Sequence, residues 1–171
     1  MERFDVKRGL VKQVTADGGL AALARRHFDN VEGTGGNSFS ASHGIMTSIT
    51  ASYNEQGALV AEVTNVPPNF DDPEAMKAAM DARRRWTTFL DDATGYDSKQ
   101  RGNKAKEWAK KASKAKSAIS GARHFMRMAE NLSDEVRGQA ASMIEEIEAA
   151  LEQGDNTKAA GRAEKLSKSL Q

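Results

Sequence analysis

Lysine and arginine are concentrated in one stretch of the chain, and their spacing is suited to binding anions. Between Asp97 and Arg127 there are ten basic residues against two acidic ones. From Glu130 to Asp155 there are eight acidic residues and one arginine. The net charge of +1 therefore hides a basic block followed by an acidic block. Such segregation of charge is typical of interaction surfaces and of helices that pair with each other.

The basic block is predicted to form a helix with its lysines on one side. At about 100° per residue, six lysines fall within about 160° of arc, and Trp108 and Ile119 lie opposite. Such a helix packs on protein through its apolar side and presents ammonium groups that bind phosphates. The chain is therefore predicted to be a non-enzymatic module that binds DNA or RNA through Lys99, Arg101, Lys104, Lys106, Lys110, Lys111 and Lys114.

Two other interpretations of the basic helix stay open. The simpler one is a solvated face whose flanks pair with the acidic helix, Glu146 and Glu148 meeting Lys104, Lys111 or Lys116. Surface pairs of this kind contribute only about 0–1 kcal/mol each. A helix lying on a membrane is the weaker alternative, because the apolar side is mostly alanine. We expect no membrane partner.

Apolar residues at alternating three- and four-residue spacing predict helices that pack side by side. One seam follows the basic helix, a second lies between Ser133 and Gly154, and a third runs from Ala159 to Leu170. Residues 98–171 are therefore predicted to form an antiparallel helical hairpin or a three-helix bundle, with Gly121 as a candidate break. Should the seams pair between chains, this domain is a protein-interaction or self-assembly module that forms homo-oligomers. The seam contacts are predicted at Trp108, Ala112, Ile119, Met126, Val136, Met143 and Ile147.

Residues 1–96 have the alternation and turn signals of a mixed domain. A helix is expected from Asp17 to about Phe28, and a second from Pro73 to Thr94, capped by Asp72 and ended by Gly95. The predicted class is α+β: a two-layer α/β sandwich with an antiparallel-type sheet and two helices on one face. Strands are expected at residues 3–7, 38–42, 46–53 and 58–66.

No group of residues predicts catalysis, a metal site or a cofactor. The chain has no cysteine, which excludes disulfides and thiolate nucleophiles and suits a cytoplasmic protein. His43 follows Ser42, but adjacent residues of a strand point to opposite faces. The loop Gly33–Gly36 lacks the Lys-Ser/Thr ending of a phosphate-binding loop. An enzyme or small-molecule-binding domain of unrecognised type is the third hypothesis.

Two stretches have a distinctive sequence, Phe4–Gly9 and Arg85–Tyr96. The second ends in Phe-Leu-Asp-Asp-Ala-Thr-Gly-Tyr and leads into the basic run. Both resemble a small archaeal protein family of unknown function. The resemblance covers about residues 1–100 and implies a two-layer α/β sandwich and an archaeal source. It supplies no catalytic residues, and it does not extend to the helical domain.

The paired acids Asp91 and Asp92 lie near the predicted end of a helix. Carboxylates are mildly unfavourable there, because the helix dipole makes that end negative. A partner contact or a weak cation site is one explanation that stays open for this placement.

Overall fold

A computed structural model describes residues 1–33 and 36–170. The chain divides into two compact units, residues 1–104 and 105–171, and the division falls inside a helix. The predicted domain boundary near residue 97 instead coincides with the start of that helix. The elements, in chain order, are β1 (Glu2–Phe4), α1 (Leu10–Ala16), α2 (Gly19–Ala24), β2 (Asp29–Glu32), β3 (Ser38–His43), β4 (Met46–Tyr53), β5 (Leu59–Asn65), α3 (Pro73–Thr94), α4 (Ser98–Met128), α5 (Asp134–Glu152) and α6 (Asn156–Ser169).

The described strands form one antiparallel sheet with the order β1-β5-β4-β3-β2. Phe39, Ala51 and Ala61 lie opposite one another across three strands and are buried under the helices. Their chain neighbours Ser40, Thr50 and Glu62 point to the other face, because side chains alternate along a strand. The predicted α+β two-layer sandwich with an antiparallel sheet is confirmed.

The helix predicted from Asp17 to Phe28 is wrong in its bounds. The structure has two short helices there, α1 ending at Ala16 and α2 beginning at Gly19. Between them Gly18 has φ of 106°, in the left-handed region that a continuing α-helix does not allow. Asp17 therefore follows α1 instead of capping the next helix. As a result three helices, not two, cover the sheet over residues 1–96.

Helix α3 has the bounds that the sequence predicts. The Asp72 side chain accepts a hydrogen bond from the Glu74 N–H, and Pro73 occupies the first helical position. At the other end Gly95 has φ of 72° and donates its N–H to the Asp91 carbonyl. Side chains of α3 meet the sheet in an aromatic core in which the Phe89 ring is 5.1–5.5 Å from its neighbours Phe28, Phe39 and Trp86.

Over residues 105–170 the structure describes three helices with a core of their own, so the three-helix alternative is the correct one. Caps begin the later two: Ser133 Oγ accepts from the Val136 N–H, and Asp155 Oδ1 accepts from the Lys158 N–H. Gly121 does not interrupt α4. In the described residues, no helix is both long enough and apolar enough to cross a membrane. The buried residues of this core are Ala115, Ile119, Ala122, Ala140, Ile144, Ile147, Ala150, Ala159, Ala163 and Leu166.

Candidate nucleic-acid interface

The first three basic residues of α4 belong to the first compact unit and differ in what they contact. Lys99 is exposed. Lys104 is half-buried, and its Nζ lies 6.0 Å from the centre of the Tyr96 ring, a cation–π geometry. Arg101 is 8% exposed and is held by the Asp91 carboxylate, the Tyr96 carbonyl and the Ser98 hydroxyl. Arg101 therefore does not belong to an exposed phosphate-binding surface.

The pairing of Arg101 also explains the acidic pair at the end of α3. Asp91 is compensated by Arg101, and Asp92 Oδ2 lies 3.0 Å from His27 Nε2. Both compensating groups come from the same unit of the chain. These two carboxylates therefore need no cation or external partner to compensate them, because internal side chains already contact both.

The four remaining lysines of the predicted set lie on α4 in the second unit and are all exposed. Lys111 donates to the Thr157 hydroxyl at 3.1 Å. Lys114 forms an ion pair with Glu164 and holds the pKa of that carboxyl below its usual range, first through the hydrogen bond and then through its charge. Lys106 and Lys110 form no ion pair with any residue in the described ranges 1–33 and 36–170.

The acidic helix α5 does not neutralise these lysines. Glu148 pairs with Arg123 at 2.9 Å, and Glu146 pairs with Arg162 of α6. The expectation that Glu146 and Glu148 meet Lys104, Lys111 or Lys116 is therefore wrong. The seven-residue offset between Lys116 and Arg123 corresponds to about two helical turns, so the register differs from the one that the sequence pattern suggests.

Two further cations of α4 are exposed and lie on an adjoining side of the helix, towards α5. Lys116 and Arg127 form no ion pair within the part of the chain that the structure describes. Lys116 lies about 120° and Arg127 about 100° round the helix from Lys110. Sequence analysis treated Lys116 only as a candidate partner of Glu146 or Glu148, and it did not single out Arg127, because it followed the lysines only as far as Lys114. We call Lys106, Lys110, Lys116 and Arg127 the unpaired row.

The seam residues pack inside the second unit to different depths. Ile119 and Ile147 are buried, and Trp108, Ala112, Met126, Val136 and Met143 are half-buried. The Asn156 side-chain amide, itself 3% exposed, donates to the Trp108 carbonyl at 3.1 Å and joins the start of α6 to α4. Arg137 joins the other end, donating to the carbonyls of Met126, Ala129 and Leu132. The apolar side of α4 is therefore used within one chain.

Histidine and aspartate come together in the first unit in a way that the sequence does not reveal. His43 Nδ1 lies 2.7 Å from Asp29 Oδ2, and His43 Nε2 lies 3.9 Å from Asp81 Oδ2. No serine hydroxyl approaches His43 among the residues described. These pairs join residues 14 or more positions apart, so no local spacing reports them. Nor does any cluster of three or more His, Asp or Glu residues in the described ranges have the geometry of a metal site.

Part of the glycine loop falls outside the described residues. Thr34 and Gly35 of Gly33–Gly36 are not described. Beside them, the carbonyl of Gly33 accepts a hydrogen bond from Arg25 at 2.7 Å, and Leu20 donates its N–H to the Gly36 carbonyl. On these described flanks the loop offers carbonyls to its own unit.

One comparison with known proteins identifies a family. A family model described as "Domain of unknown function (DUF5611)" matches residues 1–107. The match covers the sandwich and the first residues of α4, which agrees with the extent of the resemblance seen in the sequence. No curated protein and no solved structure matches the chain.

Proposed function

The chain belongs to the family described as Domain of unknown function (DUF5611), and on that premise we propose that it is a non-enzymatic module that binds nucleic acid through α4. The observation that carries the proposal is the unpaired row, Lys106, Lys110, Lys116 and Arg127. These cations are exposed, and the acids Glu146, Glu148 and Glu164 pair with other residues. A polyanion is the partner whose chemistry fits such a row.

The spacing of the lysines supports a phosphate backbone as the ligand. Lys106 and Lys110 are four residues apart, and Lys114, which is paired with Glu164, continues that spacing, so each step is about 6 Å along the helix axis. A strand of duplex DNA carries about one phosphate per 3.4 Å of axis, so each step spans about two phosphates. Like charges at this spacing repel by about 0.2–0.5 kcal/mol per pair in an isolated helix. A bound phosphate backbone places negative charges beside these ammonium groups and so offsets the repulsion between them.

The alternative of self-assembly through the seams has less support. Ile119 and Ile147 would have to leave the core of their own unit before they could contact a second chain. Burial of each such side chain contributes roughly 1.5–3 kcal/mol to the free energy of unfolding. Contacts between two chains would have to replace that contribution.

We further infer a cytoplasmic location and an archaeal source. The chain has no cysteine, which suits a reducing compartment. The archaeal source rests on the resemblance of the first hundred residues.

Fluorescence anisotropy with labelled duplex DNA, single-stranded DNA and RNA tests the proposed function on the full chain. Binding is expected at low salt, with a slope of about −3 in log affinity against log salt for duplex DNA if three cations contact phosphate. The double variant Lys106→Glu/Lys110→Glu should weaken binding at least tenfold and lower that slope by about two.

A matched control separates this surface from net charge. Lys158→Glu/Lys165→Glu makes the same charge change on exposed lysines of α6, and it should leave the affinity within about twofold. Equal losses in both double variants would contradict a site on α4. No anisotropy change for any of the three nucleic acids at low salt would contradict nucleic-acid binding altogether.

A further inference from the structure

The first unit contains a cavity of about 590 Å³ between the sheet and the first half of α3. The second half of α3 is buried against the sheet through Phe89, Leu90 and Ala93. In the first half only Ala82 is buried, and Met80 is 65% exposed. The helix therefore stands away from β4 and β5 at its N-terminal end. A volume of this size lies within the range of small-molecule sites, about 300–1,000 Å³.

The lining is mostly apolar and rich in adaptable side chains, and its polar members are Glu2, Glu62, Asn65 and Arg83. Methionine has three rotatable bonds and a polarisable sulfur, so methionine side chains can adapt their conformations to ligands of irregular shape. Met46, at 3% exposed, lies deepest, while Met80 lies at the mouth. The larger apolar side chains of the lining are Ile45, Met46, Val63, Met76, Met80 and Trp86.

One cation at the mouth is available to a ligand. Arg83 of α3 lines the cavity and forms no ion pair with any described residue. Its neighbour Arg85, by contrast, pairs with Asp81 at 2.9 Å. Glu2 also lines the cavity, from β1, and lies opposite Ala61, so its side chain starts from the helix-covered face of the sheet. A guanidinium in this setting binds a carboxylate with two parallel hydrogen bonds.

We propose that this cavity binds an elongated apolar molecule with a single carboxylate, the chain lying along the methionines and Trp86 and the carboxylate on Arg83. Such a ligand buries the exposed part of Met80 and supplies the counter-charge of Arg83. This site lies in the first unit and is independent of the proposed nucleic-acid surface. A failure of one proposal therefore leaves the other standing.

The test uses three probes with the same ten-carbon chain, below their aggregation limits: decanoate, decanol and decyltrimethylammonium. The Trp108→Phe variant of the full chain leaves Trp86 as the sole tryptophan, so its emission reports the cavity. Decanoate should give a saturable change and bind about tenfold more tightly than decanol. Arg83→Gln should remove that preference while decanol binding is unchanged.

Two further variants keep the site falsifiable. Met80→Glu places a carboxylate at the mouth and should weaken decanoate binding at least tenfold. Met128→Glu, at a methionine of α4 that is 69% exposed, is the matched control and should have no effect. No saturable response to any probe would overturn the cavity as a site. Tightest binding of decyltrimethylammonium, lost in Glu2→Gln, would overturn the assignment of a carboxylate ligand.

Discussion

The two units of the molecule differ in where their charged side chains lie and in how many of them are paired. In the first, Arg101, His27 and His43 are largely buried and hold carboxylates of the same unit. In the second, α4 leaves its unpaired row in solvent, while its core is built mainly from alanine with a few larger side chains. The first unit has an aromatic core instead. The buried charged groups of the first unit thus hold its elements together, whereas the second unit joins its helices mainly by exposed ion pairs and leaves four cations of α4 available to a partner.

The largest expected effects contrast the two cores. Phe89→Ala removes a ring that is 0% exposed and should cost about 3–5 kcal/mol of the free energy of unfolding. Ile147→Ala, equally buried, should cost about 2–3 kcal/mol, because small neighbours allow the site to close partly. Urea unfolding measures both, with Trp86 reporting in a Trp108→Phe background and Trp108 in a Trp86→Phe background. A larger loss of unfolding free energy for Ile147→Ala than for Phe89→Ala would contradict the expected difference between the two cores.

The next effect compares two arginines that each hold a helix end. Arg101→Gln and Arg137→Gln should each cost about 1.5–3 kcal/mol, because hydrogen bonds from a charged donor are lost. Only Arg101 also has a carboxylate partner, Asp91. A double-mutant cycle with Asp91→Asn should therefore give a coupling energy for Arg101 of at least about 0.5 kcal/mol, and none for Arg137. Equal coupling in both cycles would show that the first unit does not rely on its ion pair.

The smallest effect concerns two exposed carboxylates, one in each unit. Asp81 has its pKa lowered by its hydrogen bond from Arg85, with smaller contributions from the charges of Arg85, His43 and Arg84. The pKa of Glu164 is lowered in the same way, by the hydrogen bond and the charge of Lys114. Because the folded-state pKa is the lower one, each contribution to stability is present above the unfolded pKa and is lost as pH falls through the folded value.

Carbon-detected NMR titration of the carboxyl groups checks this pair of shifts. Arg85→Gln should raise the pKa of Asp81 and leave that of Glu164 unchanged, and Lys114→Gln should do the reverse. A change in both carboxyls from either variant would show that net charge, not the local pair, sets their titration.

Sequence patterns located the elements whose signals are local. The Asp72 cap with Pro73 and the stop at Gly95 bounded α3 correctly, and the apolar seams located all three helices of the second unit. The single helix predicted from Asp17 was placed wrongly, because Asp17 next to two glycines is compatible both with the end of one helix and with the cap of the next. The left-handed backbone conformation at Gly18 separates α1 from α2, and the sequence alone does not show it.

The candidate site was less predictable than the fold. Lysine positions on one helix follow from the period of that helix alone, so Lys106 and Lys110 were found. Which cations are neutralised depends on the register between helices, and the seams do not determine it. Arg101 shows this most clearly: it has the same helical setting as its lysine neighbours, yet its partner Asp91 holds it inside the first unit.

The strand that sequence analysis missed has a consequence for the solubility of folded chains. β2, at one border of the sheet, carries Asp29 and Glu32 and has an irregular register against β3. At the opposite border β1 is three residues long and contains Glu2 and Arg3. Charges, short length and irregular pairing all discourage a second chain from adding a strand to an open border. The features that make β2 a poor strand by composition therefore protect the sheet from edge-to-edge aggregation.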